Sequence, residues 1–130
     1  MRLFIDTDIL LDILLERTPH FADSAEVLDW AESHPGQSAV SWHGLANIHY
    51  LSNDGARTFI RELLEFCVVP ETGTYDMKRA LDFGFDDLED AMQASAAVRF
   101  GAQVLVTRNL KDFARSPIKV MPPAQLRELL

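Results

Sequence analysis

The stretch Arg2-Leu3-Phe4-Ile5-Asp6-Thr7-Asp8 decides how the chain is organised. Three apolar residues run into an acid, a second acid follows two residues later, and the apolar run Ile9-Leu10-Leu11 comes next. This pattern predicts a short buried strand over residues 2–6 and a helix that begins near Asp8. Open α/β sheets bind their ligands at the carboxyl ends of such strands. We therefore expect Asp6 to be the first ligand of a metal site.

The composition is that of one folded domain spanning residues 1–130. Of the 130 residues, 48% are hydrophobic, which is enough to fill a core. The longest apolar run is far shorter than the roughly 20 residues that cross a membrane. An acid interrupts the first apolar run, so we expect no signal peptide. The single Cys67 indicates a reducing compartment, and we expect a cytoplasmic protein without a membrane partner.

The net charge of −8 has two interpretations. Non-specific nucleic-acid binding needs a basic surface, so the charge argues against it. Acids gathered around a divalent cation, however, count as negative although the bound ion inverts the local field. The net charge alone therefore leaves both interpretations open.

Short apolar strands alternate with helices along the whole chain. After the first strand we predict strands over residues 38–41, 67–69, 103–107 and, at an edge of the sheet, 118–120. The predicted helices begin near Asp8 and cover 21–33, 42–52, 55–66, 74–83, 86–99 and the end after Pro122, with a turn at Asn53-Asp54-Gly55 and a turn or short helix at 109–113. This alternation predicts a parallel sheet of four to five strands covered by helices on both faces.

Three acids stand at places that could converge on one edge of this sheet. Asp6 ends the first strand, Asp90 lies in the first turn of the helix after residue 86, and Asp112 follows the fourth strand. Hard cations such as Mg²⁺ and Mn²⁺ need oxygen ligands of this kind. Such an ion can polarise a phosphoryl oxygen and activate a bound water toward a phosphodiester. We therefore expect Asp6, Asp90 and Asp112 to bind a metal.

Several neighbouring acids have structural explanations. Asp86 and Glu89 have the spacing of a helix capping box, and either Asp86 or Asp87 could cap this helix. Asp8 stands at a helix start, which favours a capping role over a ligand role, and we expect Asp12, one turn later, to be solvated. Asp90 differs, because an acid on a helix face otherwise made of small residues needs a cation or hydrogen-bond donors.

Two short polar residues follow the fourth predicted strand. Thr107 and Asn109 could hydrogen-bond the acids or a phosphate. They could equally form a simple turn. Both explanations remain open from the residues alone.

Three motifs together resemble a PIN domain, and most of all the small VapC-like toxins of toxin–antitoxin pairs. They are Phe4-Ile5-Asp6-Thr7-Asp8, Leu88-Glu89-Asp90-Ala91 and the run from Val106 to Phe113. The resemblance implies a Rossmann-like three-layer α/β/α fold and a Mg²⁺- or Mn²⁺-dependent endoribonuclease. It also implies an antitoxin partner and an RNA substrate.

The resemblance assigns roles residue by residue. Asp6 matches the first acid of the family and Asp90 the third. Asp112, or Asn109 in its place, matches the fourth region, and Thr107 matches its hydroxyl residue. The family commonly has a Glu in the helix after the second strand, where this chain has Asn47. Because Asn is a neutral oxygen donor, the number of metal ions bound is open.

Two other classes of function compete with the nuclease. Asn47 and the acidic balance also fit a PIN-like binding module without catalysis. Asp6-Thr7-Asp8 has the Asp-x-Asp spacing of haloacid-dehalogenase-like phosphatases, whose first Asp is a nucleophile, but Ile9-Leu10 departs from their pattern. Small domains of this kind often form homodimers, and we expect one through the second, third or fourth helix. The side chains that could guide RNA are Arg57, Arg61, Lys78, Arg79, Arg108 and Lys111.

Overall fold

The computed structural model describes residues 1–52 and 54–130, so Asn53 of the predicted turn lies outside the described residues. The strands within these ranges are β1 (Leu3–Ile5), β2 (Ser38–Ala39), β3 (Cys67–Val68), β4 (Val104–Val106) and β5 (Lys119–Met121). The α-helices in the same ranges are α1 (Thr7–Leu14), α2 (Phe21–Ser33), α3 (Trp42–Leu51), α4 (Ala56–Leu63), α5 (Thr74–Asp82), α6 (Leu88–Phe100) and α7 (Pro123–Leu126). Single 3₁₀ turns cover Leu110–Phe113 and Arg127–Leu129.

The strands form one parallel sheet in the order β3-β2-β1-β4-β5. Every neighbouring pair is parallel, and β1, at the centre, pairs with β2 on one side and β4 on the other. The predicted Rossmann-like parallel sheet of four to five strands is confirmed.

Two apolar layers lie against opposite faces of the sheet, because side chains alternate along a strand. Leu3 and Ile5 of β1 pack with apolar residues of α1, α2, α3, α4 and α7. Phe4 points to the other face and packs with the alanines and Phe100 of α6. The fold is therefore a three-layer α/β/α arrangement, and β1 is buried on both faces.

The structure identifies the N-cap residues of two helices. Asp6 rather than Asp8 is the N-cap residue of α1, because its extended backbone ends the strand and its carbonyl accepts the Ile9 N–H at 3.0 Å. Asp87, one of the two expected caps, is the N-cap residue of α6, since its side chain accepts the Asp90 N–H. The expected capping box of Asp86 and Glu89 is therefore wrong.

Leu126, the last residue of α7, is buried, whereas Leu129 and Leu130 are exposed. In the described ranges, no helix combines the length and the apolar character needed to span a bilayer.

Candidate active site

Asp6 and Thr107 leave the sheet side by side at the carboxyl ends of two neighbouring strands. Ile5 of β1 is in register with Val106 of β4, and the Asp6 N–H donates to the Val106 carbonyl at 3.0 Å. The Thr107 hydroxyl then donates to Asp6 Oδ2 at 2.7 Å. The parallel register therefore brings together two residues that the sequence analysis placed at this edge.

Asp6 is a buried acid whose charge is only partly compensated. Its exposed fraction is 4%, and burial, as the largest cause, raises its pKa to about 6. The hydrogen bond from Thr107 acts in the opposite direction, while the negative charge of Asp8 raises the pKa further. Asp6 is thus held at a place where a nearby cation would lower its energy.

A buried amide that sequence reasoning missed also contacts Asp6. Gln93 Nε2 donates to Asp6 Oδ1 at 3.3 Å and to Thr7 Oγ1 at 2.5 Å. Gln93 lies on α6 one turn after Asp90, among small buried residues. The available signal was a large amide on an otherwise alanine-rich helix face, since such a group must find partners when buried.

Asp90 lies near the other acids without touching them directly. It is partly buried, and burial is the largest cause that raises its pKa to about 7. The charges of Asp87, Asp6, Asp112 and Asp8 raise the pKa further, in that order. These four acids therefore lie close enough to Asp90 for their charges to repel its ionised form.

Asn109 links Asp8 to Thr107 at the carboxyl end of β4. The Asn109 side-chain amide donates to Asp8 Oδ2, and its backbone N–H donates to Thr107 Oγ1 at 3.0 Å. Asp8 is consequently held by a side chain of the β4 loop instead of capping a helix. Asp112 follows in the 3₁₀ turn, is exposed, and acts on Asp90 through its charge.

Asn47 lies next to the first turn of α6 rather than among the buried acids. Its Nδ2 donates to Glu89 Oε2 at 3.2 Å, and Glu89 immediately precedes Asp90. On the same helix, His43 Nε2 lies 3.3 Å from the Glu89 carbonyl oxygen. Asn47 therefore holds α3 against the helix that carries Asp90.

The oxygen donors of the site have the chemistry that a hard divalent cation needs, although the proposed ligands are not in close contact with one another. Within residues 1–52 and 54–130, no three Asp, Glu, His or Cys side chains are grouped closely enough to hold an ion. The acids nevertheless raise the pKa of Asp90 together. Among the described residues, the buried Gln93 Oε1 also has no hydrogen-bond partner. Oxygen donors in excess of cations are the set that Mg²⁺ or Mn²⁺ requires.

A buried ion pair beneath the site corrects the expectations for Asp12 and Arg108. Asp12 is fully buried instead of solvated. Arg108 Nε and Nη2 donate to its two carboxylate oxygens at 2.7 and 3.0 Å, and Ser24 Oγ donates at 3.0 Å. Arg17 Nε lies 3.1 Å from the same carboxylate. Arg108 therefore fastens the β4 loop to α1 instead of reaching outward for RNA.

Of the other basic residues that could guide RNA, one forms an ion pair and the rest are exposed. Arg79 donates to Asp76 Oδ1 at 2.8 Å and to the Ser95 carbonyl at 3.0 Å, so it joins α5 to α6. The remaining candidates are exposed and comprise Arg57, Arg61, Lys78 and Lys111. Lys111 lies closest in sequence to the acids, next to Asp112.

Comparison with known proteins gives a family match over most of the chain. The family model described as PIN domain matches residues 2–111. No curated protein matches the chain.

Solved toxin–antitoxin structures share the fold. A toxin–antitoxin complex from Klebsiella pneumoniae is 26% identical, with 95% of this chain and 98% of that chain covered and a TM-score of 0.66. VapBC2 from Rickettsia felis, bound to a promoter DNA fragment, is 18% identical, with 94% and 98% covered and a TM-score of 0.70. VapBC-1 from nontypeable Haemophilus influenzae is 17% identical, with 95% and 99% covered and a TM-score of 0.65.

Proposed function

The chain belongs to the PIN domain family, and on that premise we propose that it is a Mg²⁺- or Mn²⁺-dependent endoribonuclease and the toxin of a type II toxin–antitoxin pair. The observation that carries the proposal is the buried Asp6 carboxylate at the sheet edge. It is oriented by Thr107 and Gln93, and its charge, like that of Asp112, raises the pKa of Asp90.

Asp6, Asp90 and Asp112 would hold the metal ion. When bound, the ion supplies a water of lowered pKa and polarises a phosphoryl oxygen of the RNA. Burial and then the charges of neighbouring acids raise the pKa of Asp90, and both effects favour this assignment because a divalent cation offsets them. Thr107 orients Asp6 through its hydroxyl group.

Asn109 and Asn47 have supporting roles of different kinds. Asn109 joins Asp8 to Thr107, so it fixes the β4 loop over α1. Asn47 contacts Glu89 and therefore bears on Asp90 through the first turn of α6. In this assignment Asn47 orients the helix instead of donating a ligand to the ion. We propose that RNA is guided by the exposed Lys111, which adjoins Asp112.

The antitoxin is proposed to bind an apolar groove with an acidic rim. The solved neighbours named above include toxin–antitoxin complexes. In this chain a groove of about 530 Å³ has an apolar floor and four acids at its edge. Ile13, Leu28, Phe59, Leu63 and Phe66 form the floor, and Asp29, Glu32, Glu62 and Glu65 form the rim. This surface suits a segment that alternates apolar and basic side chains.

We further propose a homodimer of single-domain chains that acts in the cytoplasm. Trp42, Tyr50 and Leu51 of α3 are exposed, with Trp42 at 76%. Exposed aromatic residues of this size favour a protein interface. The helix α3 is one of the three helices through which we expect self-association.

Loss of the Asp6 charge tests the nuclease. Asp6→Asn keeps the size of the side chain and removes the proposed first ligand, so we expect Mg²⁺-dependent RNA cleavage to disappear. Asp82→Asn, an exposed acid at the end of α5, is the matched control and should cleave like the native chain. Unchanged cleavage by Asp6→Asn would remove the proposal.

A binding module without catalysis is the second candidate. Two observations favour it, the neutral Asn47 and the lack of a tight ligand group in the described ranges. Calorimetry with Mn²⁺ separates the two, because a site of millimolar affinity or better contradicts the inert alternative. The aspartyl-phosphatase alternative does not agree with the PIN domain assignment.

A further inference from the structure

We propose that Gln93 is a positioning residue of the metal site, which orients Asp6 for the cation and tightens metal binding without contacting the RNA. The inference rests on the proposed metal dependence. It adds a residue that lies outside the three motifs of the resemblance.

The contacts of Gln93 converge on the first proposed ligand. Its Nε2 group donates to Asp6 Oδ1 at 3.3 Å and to Thr7 Oγ1 at 2.5 Å. Thr107 donates to the other carboxylate oxygen at 2.7 Å. Both oxygens of Asp6 are therefore fixed, one from α6 and one from the end of β4, so the carboxylate plane has little freedom. Donors of this kind orient a metal-binding carboxylate.

The Oε1 atom of Gln93 indicates that packing alone does not account for an amide at this buried position. The side chain is buried, with an exposed fraction of 4%. Among the described residues, its Oε1 atom has no hydrogen-bond partner. A buried acceptor without a partner costs about 1–3 kcal/mol, and an apolar side chain would avoid that cost. The amide therefore serves the contacts that Nε2 makes, and Oε1 is available to accept a hydrogen bond at the site.

The packing around Gln93 keeps it in place. Gly44 of α3 lies where a Cβ atom would be 2.4 Å from Thr7 Oγ1 and 3.6 Å from Gln93 Nε2. The absence of a side chain at Gly44 thus lets α3 close over the Thr7–Gln93 contact. Three helices, α1, α3 and α6, meet at this point behind Asp6.

Replacement of Gln93 by Met removes the amide and keeps an unbranched side chain of similar length. Titration calorimetry with Mn²⁺ alone should show a dissociation constant about tenfold higher than that of the native chain, as for other residues that orient ligands. The Mn²⁺ concentration for half-maximal RNA cleavage should rise by a similar factor, while kcat at saturating Mn²⁺ stays within about threefold. Gln125→Met is the matched control, since Gln125 is exposed at α7.

A second variant keeps the test valid if Gln93→Met fails to fold. Gln93→Asn retains an amide but is one methylene shorter, so it should also weaken Mn²⁺ binding. Native-like Mn²⁺ affinity in the folded variants overturns the positioning role and leaves the nuclease proposal intact. If the native chain itself binds no Mn²⁺, both proposals fail, and the two failures are therefore distinguishable.

Discussion

Thr107 Oγ1 donates a 2.7 Å hydrogen bond to Asp6 Oδ2 across 101 residues of sequence. The two residues meet because β1 and β4 are neighbours in a parallel sheet and end at the same level. Of the contacts that Asp6 makes, this bond does most to lower its pKa against the effect of burial. The hydroxyl group therefore helps to keep Asp6 ionised and able to bind a cation.

Thr107→Val should weaken metal binding more at low pH than at high pH. The substitution preserves the shape of the side chain and removes the donor, so the pKa of Asp6 should rise above its present value of about 6. A larger fraction of the Asp6 carboxyl groups is then protonated at pH 6, and the proton competes with Mn²⁺ for this carboxylate. We expect the affinity to fall about tenfold at pH 6 and less at pH 8, measured by calorimetry. Thr58→Val on α4 is the control, and an equal loss at both pH values would contradict this explanation.

The strands and the sheet-edge residues could be predicted because each depends on a local pattern. A short apolar run followed by Asp6 marks a buried strand and its end, and the register of parallel strands then places Thr107 beside it. The family resemblance supplied Asn47, yet the structure places it against Glu89. Its contact depends on how α3 packs against α6, which no local pattern records.

Asp12 and Gln93 could not be assigned because their partners lie far away in the chain. Asp12 is paired with Arg108, 96 residues later, and Gln93 contacts Asp6 across 87 residues. Charge spacing on α1 alone favours a solvated Asp12. The cap of α1 differs from the expected Asp8 for a related reason, since the acid that ends β1 is itself the N-cap residue.

Metal-free protein should become more stable as the pH falls from 8 toward 5. Asp6 and Asp90 have pKa values of about 6 and about 7 in the folded chain, above the ordinary value of 3.8. The folded state therefore binds more protons than the unfolded state in this range. The loss of stability caused by the two ionised acids is largest above pH 7. For Asp6 we expect the free energy of unfolding to be lowered by roughly 1–3 kcal/mol, while the partly buried Asp90 contributes less because solvent screens its charge.

Comparison of two isosteric variants isolates this effect from other titrating groups. Asp6→Asn should be more stable than the native chain at pH 8 without metal, and the difference should shrink as the pH is lowered to 5. Asp82→Asn, at an exposed position, should follow the native curve. Urea unfolding at each pH measures the free energy, and a native stability that is independent of pH would contradict the expectation.

Breaking the buried ion pair should cost more than breaking an exposed one. Asp12→Asn leaves Arg108 facing a neutral amide in a site where Asp12 is fully buried. We expect a loss of about 3 kcal/mol in the free energy of unfolding, because removal of one partner leaves the other charge without its ion pair. Asp23→Asn, which breaks an exposed pair with Arg127, should cost less than about 1 kcal/mol. Similar losses in the two variants would show that Asp12 has no special structural weight.

Reversal of charge at the acidic rim should weaken antitoxin binding. Asp29 and Glu62 lie on α2 and α4 at the edge of the groove. The double variant Asp29→Lys/Glu62→Lys should bind the proposed antitoxin about tenfold more weakly, with a smaller dependence on salt. Glu71→Lys/Asp82→Lys makes the same charge change at exposed positions outside the groove. Equal binding by both double variants would exclude this groove as the docking surface.

Gly44→Ala should lower both stability and Mn²⁺ affinity, because the added methyl group displaces residues that are linked to Asp6 through Gln93. The new Cβ atom would lie 2.4 Å from Thr7 Oγ1 and 2.6 Å from Ser41 Oγ, so at least one of them must move. We expect a loss of about 1–3 kcal/mol in stability, as for other overpacked positions, together with weaker Mn²⁺ binding. Gly73→Ala is the control, since its Cβ would meet no atom within 4 Å and its φ of −153° suits any residue. If Gly44→Ala loses stability but binds Mn²⁺ like the native chain, the contact between Thr7 and Gln93 does not govern the orientation of Asp6.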